Sequence, residues 1–313
     1  MFVKYFNIVS VLSYLMKPLG GIFMKILLAV SLFVLATSAF AQEQSLMSHF
    51  HLLNSKCEAN TEEGPEMTPQ SPPLDVDDPG TPGCNRWEIN ILTDADFTKG
   101  ERHFEIPLLD INYGIGDNIQ LKYEVPMEKT QTDTASETGV GHSRFGIKYM
   151  FYEDEGSGTQ FGFYPQIDFF TPGVAKSADQ ESESSGNIVT IPLLLTTKVG
   201  AVKKGDVMLT ANLGYNLSSR ADTENSVYIA TGVGLPVLKN LALMGEISAE
   251  ESLAKSAEDV REELVKMNVG AIQTVAKNFL LFGSVGESLI SSDHLNHTYA
   301  LVGFRVLTDG ETK

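Results

Sequence analysis

Cysteine is scarce in this 313-residue chain, where only Cys57 and Cys84 occur. Their spacing is not C-x-x-C and no histidine cluster accompanies them, which argues against a metal or redox pair. Basic residues are also few: Lys and Arg total 23 against 40 Asp and Glu, for a formal charge of −17. Phosphate contacts need Lys and Arg, so no nucleic-acid partner is expected. Past residue 41 no apolar run approaches the roughly 20 residues of a membrane-spanning helix, which excludes a helical membrane protein. A G-x-S-x-G elbow is missing too. His142-Ser143 sets a base beside a hydroxyl, but successive residues of a strand point to opposite faces. The chain is therefore expected to be no enzyme and to use no cofactor or metal.

What is present begins with a leader over residues 1–41. Met24 and Lys25 are followed by a mostly apolar run from Ile26 to Ala36 and by Ala39-Phe40-Ala41. A positive start, a short apolar stretch and a small-x-small site form a secretory signal, with cleavage predicted after Ala41. The eleven residues of the apolar run are too few to span a bilayer as a helix. A second apolar patch within Met1 to Phe23 suggests that translation starts at Met24, an unusually long leader being the alternative. Losing residues 1–41 removes Lys4, Lys17 and Lys25 and no acid, which takes the charge from −17 to −20.

Residues 42–86 are rich in Pro, Glu, Asp and Thr, with Gly64-Pro65, Ser71-Pro72-Pro73 and Asp78-Pro79-Gly80 among them. Such a segment reads as an extended periplasmic arm with little core of its own. A plug that folds back into a lumen is the alternative. An exported chain enters an oxidising compartment, so Cys57 and Cys84 are expected to form one disulfide within the arm.

From residue 87 to 307 the chain alternates apolar and polar residues in about a dozen segments. In Asn118 to Pro126, Ile119, Leu121, Tyr123 and Val125 share one face and Gln120, Lys122 and Glu124 the other, the period of two of a β-strand. Comparable segments lie near 87–93, 104–113, 143–152, 159–170 and 187–198. The second half supplies 206–217, 226–236, 240–249, 263–274, 278–288 and 297–307. Short links (114–117, 154–158, 200–205, 237–239, 275–277) alternate with mostly longer polar ones (94–102, 127–142, 171–186, 218–225, 250–262, 291–296). That rhythm predicts an all-β fold, a transmembrane antiparallel barrel of about 12 strands in a Gram-negative outer membrane. An even strand count then puts both termini in the periplasm, and residues 308–313 form a tail.

The phase assigns apolar Phe145, Ile147, Tyr149, Leu209, Leu213 and Leu217 to lipid and the other parity to the lumen. Lumen-facing candidates are Glu88, Asp110, Lys122, Glu124, Arg144, Lys148, Asp168, Glu246, Lys266 and Arg305, with Asn90, Asn112, Gln120, Gln166 and Asn268 beside them. A structural network satisfying polar groups and a solute-selecting pathway both fit this set. Parity changes between Phe104 and Leu109, which suggests a bulge near Pro107. Pro165 and Pro192 weaken the strands that hold them. Trp87, Tyr113, Tyr149, Phe151, Tyr152, Phe169 and Tyr215 fall toward strand ends, as interfacial girdles do. The acidic groups Asp179, Glu181 and Glu183, and Glu250, Glu251, Glu258, Asp259 and Glu262, lack calcium-loop spacing and read as solvated surface charge.

Asp77-Asp78-Pro79-Gly80-Thr81-Pro82-Gly83, followed by Trp87-Glu88-Ile89-Asn90, resembles the opening of a family of transporter-like barrels labelled for the meta-pathway of phenol degradation. Pro107-Leu108-Leu109-Asp110-Ile111-Asn112-Tyr113-Gly114 and Gln120-Leu121-Lys122-Tyr123-Glu124-Val125-Pro126 extend the likeness, which runs from about Asp77 to Val306. The resemblance implies an outer-membrane barrel for passage of small molecules and carries no catalytic residues. Cys84-Asn85-Arg86 interrupts the family pattern, and a tail without a terminal aromatic departs from it. The expectation is a monomeric passive channel with outer-membrane lipid and small-molecule cargo as partners. A closed-lumen scaffold or adhesin is the alternative, and a soluble exported β-sandwich the third reading.

Overall fold

The computed structural model describes residues 76–171, 186–221, 223–254 and 261–308. The chain divides into Met1–Gln44 and Ser45–Lys313, and every described residue belongs to the second unit. The expected leader, most of the arm, Cys57, Asp179, Glu181, Glu183, Glu258, Asp259 and all of the tail but Thr308 lie outside the described residues.

Fourteen strands form one antiparallel sheet. They are β1 (Trp87–Thr98), β2 (Glu101–Ile115), β3 (Ile119–Thr132), β4 (Ser136–Val140), β5 (His142–Asp154), β6 (Thr159–Phe163) and β7 (Gln166–Phe170). After them come β8 (Ile188–Val202), β9 (Gly205–Ser218), β10 (Ser226–Leu238), β11 (Leu241–Ser252), β12 (Glu263–Ala276), β13 (Phe279–Ser291) and β14 (Thr298–Leu307). β4 runs into β5 through Gly141, and both pair with β3. β6 and β7 are one strand broken at Tyr164-Pro165, because proline cannot donate to a ladder; both pair with β5 and β8. Twelve spans result. β1 pairs with β14 from Glu88↔Leu307 to Phe97↔Thr298, which closes the barrel and removes its edges. The soluble sandwich is thereby set aside as a fold.

Strands exceed the sequence-based boundaries mainly at the end opposite the termini. The link expected over 94–102 is a turn at Lys99-Gly100, with Gly100 at φ 93°, and Glu250 and Glu251 belong to β11. Antiparallel pairing continues there beyond the length that crosses a bilayer. The phase change near Pro107 is a bulge between Glu105 and Leu108, where two residues of β2 face one of β3. Pro192 stays within β8, and its carbonyl accepts from the Tyr164 amide.

Polarity is inverted relative to a soluble domain. Inward-facing Asn90, Gln120 and Glu246 are 2%, 5% and 4% exposed, whereas outward-facing Ile147 and Val302 are 42% and 63% exposed. Exposed Leu213, Leu217, Val269, Val285, Leu243 and Val233 continue that outer apolar surface. Leu209 shares the outward parity but is covered to 9% exposure. Trp87 and Tyr113 pack at 4.6 Å at the end carrying the termini, and Phe97 and Phe104 at 5.6 Å at the other.

At that second end His297 bridges two carboxylates: Nδ1 lies 2.9 Å from Asp96 Oδ2 and Nε2 2.9 Å from Asp293 Oδ2. Partial burial alone would lower the imidazole pKa, but hydrogen bonds to Asp96 and Asp293 outweigh it and raise it above the ordinary histidine value. The Ser291 hydroxyl, the Leu295 amide and His297 hold Asp293 down at about 2. A raised folded pKa stabilises below the unfolded value and loses that stabilisation as pH rises through the folded one. The β13–β14 connection is therefore expected to exchange its amide hydrogens faster, relative to the intrinsic rate, above the His297 pKa. His297→Gln should flatten that dependence, and an unchanged profile would contradict the bridge.

Candidate functional site

The closed barrel leaves an internal cavity of about 890 Å³. Glu88, Asp110, Lys122, Glu124, Arg144, Lys148, Lys266 and Arg305 line it. Asp168 stands behind this surface, 3.8 Å from Arg144 Nη2, and Glu246 is buried in the β11 wall opposite Asn268.

One wall, from β14 through β1 to β7, carries a chain of ion pairs and amides. Arg305 Nε donates to Asn90 Oδ1 at 2.7 Å, and Asn90 Nδ2 donates to Asp110 Oδ2 at 2.9 Å. Asn112 also donates to Asp110, at 3.1 Å, and Gln120 to Asn112, at 2.5 Å. Lys122 Nζ lies 2.8 Å from Glu124 and 3.8 Å from Asp110, and Arg144 Nη1 lies 3.2 Å from Glu124. Arg220, from the β9–β10 connection, reaches Asp168 and His142. Alternation places these groups: every second residue of paired strands meets on one face, and the registers set Asp110 against Glu124 and Arg144 against Asp168.

Another part of the inner wall is apolar. Ala242, Met244, Ile272, Leu280 and Phe282 form a buried cluster, with Leu92 and Leu301 packed on it. Ile272, Leu280, Phe282, Leu92 and Leu301 also line the cavity, so the lumen has an apolar patch beside its charged groups. The lumen-facing residues expected from alternation are all polar or charged, and none of this apolar patch is among them. The available signal was Phe279-Leu280-Leu281-Phe282, apolar on both parities, as a strand is when both faces meet apolar surroundings.

The end of the arm occupies the lumen. Val76 and Pro79 are almost fully buried, and Val76 to Asp78 and Gly80 to Pro82 line the cavity. Asn212 of β9 holds Asp77 through both main-chain groups, accepting from its amide at 2.8 Å and donating to its carbonyl at 2.7 Å. Lys148 donates to the Gly80 carbonyl at 3.2 Å and sits 4.9 Å from the Tyr164 ring centre. A Cβ on Gly114 would come within 1.8 Å of the Gly83 carbonyl oxygen, so only glycine there lets the arm pass. For these residues the folded-back alternative, rather than an extended arm, describes the chain. Cys84 is buried and disulfide-bonded, and its expected partner Cys57 lies outside the described residues.

His142 Nδ1 is 2.8 Å from Asp168, on the inner face. Ser143 points the other way, its hydroxyl bonded to Tyr123 and Thr171 at 2.9 Å each, so the two do not meet. Among the described residues, the ligand atoms of His103, Glu105 and Glu128 also come together, at the end opposite the termini.

No family model and no curated protein matches this sequence. Solved structures do. An outer-membrane channel from Pseudomonas putida F1 aligns over 79% of this chain and 100% of its own, with 13% identity and a TM-score of 0.56. The likeness is one of fold. The NanC porin aligns over 70% of this chain and 98% of its own at 9% identity and a TM-score of 0.47. The KdgM porin in complex with disordered oligogalacturonate covers 69% and 98% at 12% identity and 0.44.

Proposed function

We propose that this chain is a passive outer-membrane channel for small amphipathic molecules, restricted by its own Val76–Pro82 segment. The observation that carries the reading is the inverted closed barrel, with buried charged and polar side chains inside and exposed apolar side chains outside. Soluble monomers rarely expose contiguous apolar patches beyond a few hundred Å². A bilayer removes that difficulty, and closure satisfies the backbone groups that lipid cannot. The channel fold of the Pseudomonas putida protein supports the same reading, as does the resemblance to transporter-like barrels labelled for phenol degradation. A charged wall and an apolar patch suit a solute with a polar head and an apolar body, below the size of the cavity.

The closed-scaffold reading draws on the pairing of the charged wall, since Lys122 and Arg144 each contact two carboxylates. Liposome swelling separates the two. Proteoliposomes of the channel should admit small amphipathic solutes faster than larger sugars, whereas a scaffold admits neither. Neutralising Lys122 and Lys148 together, each to Gln, should also shift ion selectivity toward cations, because two fixed positive charges leave the lumen. Permeation and selectivity unchanged from wild type in a barrel that still inserts would favour the scaffold.

A further inference from the structure

We propose that His103, Glu105 and Glu128 form a binding site for a divalent transition metal, Zn²⁺ first among them, on the inner wall at the end of the barrel opposite the termini. One ligand atom from each residue lies within 4.8 Å of the other two. The bulge of β2 builds the group. Inward residues are Asp110 and Asn112 on one side of it and, after the parity change, His103 and Glu105 on the other. β3 has no such break, so Glu128 and Thr130 keep the inward parity of Lys122 and Glu124 and stand directly opposite Glu105 and His103. If β2 ran past Ile106-Pro107 with unbroken alternation, His103 and Glu105 would both turn to the outer face, away from Glu128.

Two independent features prepare the group for a cation. His103 Nδ1 is 3.1 Å from the Thr130 hydroxyl, which orients the ring and leaves the other nitrogen for a ligand. Metal-binding imidazoles characteristically carry such a partner on the second nitrogen. Glu137, directly opposite Thr130 on β4, holds a buried Oε2 that has no hydrogen-bond partner. Glu137 thus stands in the same cross-strand row as Thr130 and His103. Gly141 adds room: a Cβ there would fall 1.9 Å from Glu128 Oε1, so only glycine leaves this carboxylate in place.

The donor set selects the ion. Imidazole with carboxylates suits Zn²⁺ and its neighbours, whereas Ca²⁺ takes six to eight oxygens and Mg²⁺ keeps much of its water. In a tetrahedral zinc centre ligand atoms stand about 3.4 Å apart, so the widest pair must close by rotation of the glutamate side chains. Asp94 and Asp96, opposite Glu105 and His103 on β1, add negative field. Three protein ligands leave a fourth position for water or an anionic solute group.

Calorimetric titration of the full-length oxidised protein in detergent micelles with zinc sulfate tests the site. Wild type is expected to bind one equivalent at this site, with calcium chloride giving no comparable heat. His103→Ala and Glu128→Gln should each weaken zinc binding at least tenfold, and Thr130→Val about 10- to 100-fold. Heat-dependent gel migration checks that each variant folds, and Thr130→Val keeps all three ligands should His103→Ala not fold. Zinc affinity equal to wild type in the folded variants, loss of binding with His297→Ala alone, or no binding to wild type would each overturn the proposal. None of these outcomes depends on whether the barrel conducts.

Discussion

An arginine in place of Ile147 or Val302 is expected to destabilise the inserted barrel by about 2 to 4 kcal/mol, the cost of a cationic side chain facing lipid near the midplane. Ile147 is central in β5 and Val302 central in β14, so the two test separate parts of the wall. Both side chains are outward and exposed, at 42% and 63%. A comparable substitution at inward Thr190, which lines the cavity, should leave membrane recovery and heat-dependent migration near wild type. Leu209 is a poorer probe than its parity promises, because its neighbours already cover it and an arginine there would report packing as well as lipid. Equal recovery of wild type, Ile147→Arg and Val302→Arg would mean that this surface does not meet hydrocarbon.

Alternation made the barrel legible. Ile119 to Val125 and Val207 to Leu217 state their faces residue by residue, and the bulge near Pro107 showed itself as a change of parity. Strand ends were less readable at the far end, where polar residues such as Thr130 and Glu250 continue the ladder and composition alone suggests a loop. The charged wall followed from the same alternation. Its far partner did not: Arg220 comes from a connection, 52 residues from Asp168 in the chain, and no local pattern links them. The apolar patch was hidden for a different reason. A strand apolar on both parities reads as buried without saying which face meets lipid and which meets the lumen. The arm's return into the lumen rests on single contacts, Asn212 with Asp77 and Lys148 with Gly80, that proline-rich composition cannot encode.

That returning segment carries the second large expectation. Asp77 to Pro82 fills part of the lumen, and Asn212 is its firmest tether. Replacing residues 77–82 by a Gly-Ser stretch of equal length removes Pro79 from its seat beside Gly162 and the Gly80 contact from Lys148 as positioned now. Asn212→Ala is the milder version, since it keeps the segment and removes two hydrogen bonds. Neither change touches the outward face, so insertion should be preserved.

Single-channel recording in planar bilayers, with wild type, Asn212→Ala and the 77–82 replacement side by side, addresses the central claim most directly. A restricted channel predicts small unitary conductance in wild type, more frequent or larger openings in Asn212→Ala, and the largest steps in the replacement. Absence of conductance in all three, with folding and membrane recovery intact, would contradict a channel and leave a closed barrel.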